Sequence, residues 1–224
     1  MKRSEVNHII REGEAFAQAM NFSLPPFAAW TPEDWATRGP DCDEIRDNML
    51  GWDVTDFGQG NFLEIGLLVF TIRNGNAKLP QYSKPYAEKL LIIREGQVTP
   101  YHFHYAKMED IINRGGADLL IQVYTATETH GLADTPVEVQ LDGRRSTVPA
   151  GTVIRLTPGE SITLPTYMYH QFWAEGGPVL CGEVSAVNDD NVDNHFLGQV
   201  GRFPTIEEDE PPWRLLCTEY PPAQ

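Results

Sequence analysis

Three cysteines in 224 residues, Cys42, Cys181 and Cys217, are too few for a disulfide framework. Their count is odd and no CxxC spacing offers a thiolate zinc site, so reduced, buried thiols are expected. Long apolar runs are missing too. No segment approaches the roughly 20 apolar residues of a membrane span, and the opening MKRSEVNHIIREGEAF lacks the continuous apolar core of a signal peptide. The expectation is a cytoplasmic protein with no membrane partner. Basic residues are scarce: 17 Lys and Arg against 32 Asp and Glu give a net charge of −15, and no cationic cluster exceeds the pair Arg144 and Arg145. Such a surface repels a phosphate backbone, which argues against nucleic acid as a partner, and charge this diffuse reads as solvation. Internal repeats and low-complexity segments are also absent.

What is present is a folded composition, 41% hydrophobic and 10% aromatic, in a length that suits one domain. Residues 1–60 read as a helical and irregular extension. Val6, Ile9, Ile10, Phe16, Ala17 and Met20 fall near one helical face behind Ser4 as cap. A second helix start lies at Thr31, Pro32, Glu33 and Asp34, where a capping hydroxyl precedes proline and first-turn acids. From residue 61 to about 187 the character changes to short β-prone runs, FLEIGLLVFTIR, KLLIIRE, LLIQVYTAT, VEVQL, RRSTV, TVIRL, SITL and PVLCGEV, separated by turn residues. Asp142-Gly143 between alternating strands marks a hairpin. This spacing predicts a mainly β domain, an antiparallel sandwich or barrel. The tail, 188–224, is rich in Asp, Asn and Pro but carries Phe196, Phe203, Trp213, Leu215, Leu216 and Tyr220, so it is expected to pack back onto the barrel.

The chemistry is concentrated in TPYHFH. Side chains alternate across a strand, so His102 and His104 share a face. Glu109 follows beyond a bend at residues 105–108, and His170 offers a third imidazole from a distant segment, TLPTYMYH. Three nitrogens and one carboxylate oxygen suit a borderline divalent ion such as Mn, Fe, Co, Ni or Zn, with positions left for exchangeable ligands. Lys107 lies in the bend, where its ammonium either approaches a substrate oxygen or is simply solvated. Glu183 interrupts the apolar, small-residue strand VLCGEVSAV, where an unpaired carboxylate is costly to bury. It therefore has either a structural partner or a proton-transfer role. Asp193 reads equally well as an Asx-turn former, the role assigned to Asp189 and Asp190.

From Gly96 the sequence runs glycine, five residues, HFH, four residues, Glu109, six residues, Gly116, which matches the first signature of the cupin superfamily. Gly159, Pro165 and His170 match the second, with Tyr167 where that pattern prefers glycine and Ala174 where it prefers asparagine. The strings PYAEKLLIIREGQ, HFHYAKMEDIINRGG, LTPGESITL, YHQFWAE, GEVSAVNDDNVDNHF and GRFPTIEEDE closely resemble the D-lyxose isomerase family of cupin-type sugar isomerases, between about residues 85 and 210. The resemblance implies a cupin barrel (double-stranded β-helix, jelly roll) and a metal held by His102, His104, Glu109 and His170. That metal is usually manganese, with cobalt, zinc or iron as substitutes. It further implies a free-sugar pocket lined by Lys107, Glu183 and Asp193, a homodimer, and interconversion of D-lyxose with D-xylulose and of D-mannose with D-fructose. In such a reaction Glu183 is the expected base and Lys107 the group that polarises an oxygen, although the roles can be exchanged among Glu183, Lys107 and Asp193. Two other readings stand beside it: a cupin Fe(II) dioxygenase, which uses the same ligands, and a non-catalytic sugar-binding cupin, which needs neither the buried Glu183 nor an open metal position. A phosphosugar isomerase would need arginines or a glycine-rich helix start.

Overall fold

The structure is a computed structural model that describes residues 1–198, 200–201 and 204–222. Three helices come first: α1 (Arg3–Ala19), α2 (Pro32–Trp35) and α3 (Asp43–Asp47). Eleven strands follow among the described residues: β1 (Gly51–Thr55), β2 (Leu67–Arg73), β3 (Tyr86–Ile93), β4 (Thr99–His104), β5 (Glu109–Thr125), β6 (Val137–Leu141), β7 (Arg144–Val148), β8 (Val153–Leu156), β9 (Ser161–Leu164), β10 (Met168–Ala186) and β11 (Asn194–Phe196). They form one antiparallel sheet ordered β1-β2-β3-β10-β5-β9-β6-β7, with β4 on β10, β8 on β5 and β11 on β4. This is the expected cupin-type β architecture. The long strands β5 and β10 pair along most of their length, with register shifts near Glu175–Val179 and Leu180–Cys181. There the first-signature glycine earns its place: Gly116 has φ +96°, and a Cβ on it would stand 2.3 Å from the Pro178 carbonyl oxygen.

Two apolar cores explain why β2 and β3 read as nearly unbroken hydrophobic runs. One face of β3 sends Leu91 and Ile93 into the barrel, against Ile111, Ile121 and Phe172. The other sends Leu90 and Ile92 outward beneath α1, against Ile10, Phe70 and Leu180. With both faces covered, simple alternation of polar and apolar residues disappears.

Local signals fared well where the interaction is local. Thr31 caps α2 in a reciprocal box with Asp34. Asp142 (φ 48°) and Gly143 (φ 78°) make the turn between β6 and β7. Tyr167, at the glycine position of the second signature, adopts φ 59°, so the backbone keeps the left-handed conformation although the residue differs. Other expectations are corrected. The sheet begins at Gly51, inside the segment read as helical and irregular, because the short GWDVT carries a buried aspartate that masks its strand pattern. Ser4 does not cap α1. The cap position is Lys2, and the free N–H groups of the first turn are satisfied from the tail, Arg3 N donating to Glu207 O (2.8 Å) and Ser4 N to Asp209 Oδ1 (2.9 Å). In the tail, Leu216 joins the outer core, Tyr220 stacks on Trp35, and Phe196 packs against the inner core. Trp213 instead stays 37% exposed beneath the guanidinium groups of Arg11 and Arg214. Phe203 lies outside the described residues.

Candidate metal centre

β4 delivers His102 and His104 to one interior face, and Glu109 opens β5 after the bend. Across the sheet His170 of β10 stands opposite His102. All four side chains are buried, and one ligand atom from each lies within 4.8 Å of the others. Glu109 Oε1 is 3.2 Å from both His104 Nε2 and His170 Nε2. The tautomers of two imidazoles follow from their partners, because a carbonyl only accepts. His102 Nδ1 donates to Pro100 O (2.8 Å) and His170 Nδ1 to Met168 O (3.0 Å), which leaves both Nε2 lone pairs toward the cluster. His170 Nε2 and His104 Nδ1 are buried and have no hydrogen-bond partner among the described residues. A buried polar atom without a partner is costly, and a cation between these groups removes that cost.

Electrostatics place His102, His104 and Glu109 in their ligating forms. Burial, reinforced by His170 and His104, holds His102 well below the ordinary imidazole range, and burial with the Lys107 ammonium lowers His104. Burial opposes ionisation of Glu109, but the Lys107 ammonium and His104 outweigh it and hold the carboxyl well below its usual range. Neutral imidazoles and an ionised carboxylate are what a divalent ion requires.

Lys107 is not solvated: it is 2% exposed. Its Nζ lies 2.7 Å from Glu109 Oε2 and 2.8 Å from Glu183 Oε1. Burial opposes its charge, but the Glu109 and Glu183 carboxylates outweigh that and hold the ammonium above the ordinary lysine range. These groups line a cavity of about 50 Å³ with apolar walls from Phe57, Leu91, Ile111 and Phe172. One water needs roughly 10–15 Å³ on this measure, so the space holds several hydroxyl-sized groups.

Asp193 is placed differently from the expectation that it lines the pocket. It is not among the cavity walls; its two oxygens accept the backbone N–H groups of Ala106 (2.7 Å) and Lys107 (3.1 Å), which fixes the bend. Asp190, read as a turn former, is a wall of the cavity, whereas Asp189 does bind within its turn. Lys89 was missed. It is 5% exposed, lines the cavity and shares the interior parity of Leu91 and Ile93. A lysine on the inward phase of an apolar strand is the signal that could have found it.

The D-lyxose isomerase family matches residues 1–220. The chain belongs to that family. It is 49% identical over 223 residues to the D-lyxose/D-mannose isomerase of Escherichia coli O157:H7, and 51% identical over 224 residues to that of Serratia proteamaculans, covering 98% of each chain in both cases. The D-lyxose ketol-isomerase of Cohnella laeviribosi is 30% identical over 166 residues, 70% of this chain and 82% of the relative. Among solved structures, the L-ribose isomerase of Cellulomonas parahominis superposes with a TM-score of 0.61 at 18% identity, over 92% of this chain and 98% of the other, a likeness of fold.

Two outcomes are expected. His170→Ala should lower bound metal measured by elemental analysis, and full stoichiometry at unchanged affinity would remove His170 from the ligand set. Asp193→Ala leaves the N–H groups of Ala106 and Lys107 without their acceptor, the second of them buried, and should destabilise the protein by about 1–3 kcal/mol in denaturant unfolding, while metal content stays near that of the parent.

Proposed function

We propose that this protein is a metal-dependent aldose–ketose isomerase that interconverts D-lyxose with D-xylulose and D-mannose with D-fructose by proton transfer between C1 and C2. The observation that carries the reading is one cavity walled by both the four-residue ligand set and the Lys107–Glu183 pair, in a member of this family. A divalent ion held by His102, His104, Glu109 and His170 supplies Lewis acidity at the sugar oxygens as negative charge develops on them. Manganese is the ion proposed, with cobalt, zinc and iron as the alternatives that three imidazoles and a carboxylate accept.

Glu183 takes the proton from C2 of the open-chain aldose. The electrons of that C–H bond form the C1–C2 double bond of an enediol as the carbonyl π pair moves to O1, and Glu183, after exchange of its proton with solvent, protonates C1. Lys107, beside both carboxylates, is placed to donate a hydrogen bond to an oxygen of the enediol and to assist the proton that passes from O2 to O1. No arginine lines the cavity among the described residues, and both lysines there already face carboxylates, which favours a free sugar over a phosphosugar. D-Lyxose and D-mannose share their configuration at C2 and C3. One added hydroxymethyl group at the far end decides only ~1–3 kcal/mol, so both fit the same reaction.

A homodimer and a cytoplasmic location complete the proposal. Tyr86 of β3 and Val184 of β10 are exposed on paired strands, with exposed Met108 in the bend before β5, and offer apolar surface for a second copy. All three cysteines are buried free thiols, as a reducing compartment favours, and no helix of the described residues is long and apolar enough to cross a membrane.

Metal-free protein reloaded separately with manganese, cobalt, zinc or iron, and given free aldoses without oxygen, should form the ketoses seen by chromatography. Oxygen consumption coupled to turnover would select a dioxygenase instead. In the same assay Glu183→Gln should keep its metal and lose about 10²–10⁴-fold in kcat, the usual worth of a general base; a parental kcat would leave Glu183 a structural role.

A further inference from the structure

Lys89 is a cation inside an apolar barrel. Its Nζ is 3.4 Å from Glu183 Oε1 and 3.7 Å from Asp190 Oδ1, and its residue stands directly opposite Glu183 across the β3–β10 ladder. Lys107 Nζ approaches the same Glu183 oxygen, Oε1, at 2.8 Å. Two ammonium groups from different elements, β3 and the bend, thus converge on one oxygen of one carboxylate. No hydrogen bond from the described residues reaches the other oxygen, Oε2, and Glu183 is a wall of the cavity.

The terminal torsion of a glutamate is broad, and one ion pair leaves the carboxylate free to rotate about it. Two cations from different elements on one oxygen restrict that rotation. Lys107 alone is a poor anchor, because it is shared with Glu109 at 2.7 Å. Asp190 in turn restrains Lys89, and Asn194 Nδ2 donates to Asp190 Oδ1 at 3.3 Å. The carboxylates therefore alternate with the lysines, Glu109, Lys107, Glu183, Lys89, Asp190, from the ligand cluster to the loop before β11.

We infer that Lys89 is a positioning residue for the isomerisation: it shares Glu183 Oε1 with Lys107 and so holds the carboxylate with Oε2 turned to the cavity as the proton-transfer atom. This rests on the reading of Glu183 as the base. Lys89 acts through Glu183 and has no contact with the reacting carbons assigned to it.

The test uses the manganese-loaded enzyme and the variants Lys89→Met, Lys89→Gln and Lys89→Arg, with thermal unfolding and metal content measured for each. Misplacing a reacting group by about an ångström can cost 10²-fold, so Lys89→Met should lower kcat by roughly 10–100-fold with little change in KM. Lys89→Gln should fall likewise, and Lys89→Arg, which keeps the charge, should recover part of the loss. Because the effect passes through Glu183, adding Lys89→Met to Glu183→Gln should cost little more than Glu183→Gln alone. A raised KM with unchanged kcat would make Lys89 a sugar-binding residue and overturn the inference. So would losses that multiply in the double variant, or an unchanged kcat in both Met and Gln variants. If Glu183→Gln itself keeps the parental kcat, the base assignment is what fails, and that result is separate from any Lys89 outcome.

Discussion

Burying the Lys107 ammonium between Glu109 and Glu183 sets the terms for the rest of the site. An ionised group taken from water into an apolar barrel is tolerated only when partners surround it, and removing one partner of a buried pair typically costs about 3–5 kcal/mol. Lys107 meets that condition twice, at 2.7 and 2.8 Å. Glu109 must then be ionised, which is also the form a metal needs, and Glu183 must face inward from β10. The bend that carries Lys107 has to be rigid, and Asp193 makes it so by accepting the N–H groups of Ala106 and Lys107. Asp193 lies between the Asp189 turn and β11, and β11 pairs with the very strand that carries His102 and His104. The tail is thereby tied to the geometry of the centre.

The same constraint explains the division of labour in β3. Its outward residues, Leu90 and Ile92, glue the sheet to α1. Its inward residues run from Ile93 and Leu91 in the core to Lys89 at the cavity. One strand thus supplies core on both faces and a buried charge that is balanced by Glu183 opposite it and by Asp190.

How much of this was legible depended on the range of the interaction. The pairing of His102 with His104, the turn at Asp142-Gly143 and the cap at Thr31 are set by neighbours within a few residues, so parity and turn chemistry revealed them. The ligand role read for His170 and the importance of Glu183 came from motif spacing and from the cost of a carboxylate in an apolar strand. Lys89 and Asp190 escaped because their meaning depends on the β3–β10 register and on the path of a loop, neither of which is written locally. The cap of α1 escaped for the same reason: Glu207 and Asp209 reach it from the other end of the chain. Asp193 was read into the pocket by resemblance, and the turn-forming alternative for aspartate came closer to its backbone contacts.

In the proposed function the carboxylate held beside the ligand cluster by two lysines moves a proton, rather than hydrogen passing directly between carbons. The most direct check is isomerisation of D-lyxose by the manganese-loaded protein in oxygen-free deuterium oxide, read by NMR or mass spectrometry. Proton transfer through Glu183 predicts deuterium from solvent at C1 of the D-xylulose formed and at C2 of the D-lyxose recovered near equilibrium. Full conversion with no solvent deuterium in either sugar would contradict it.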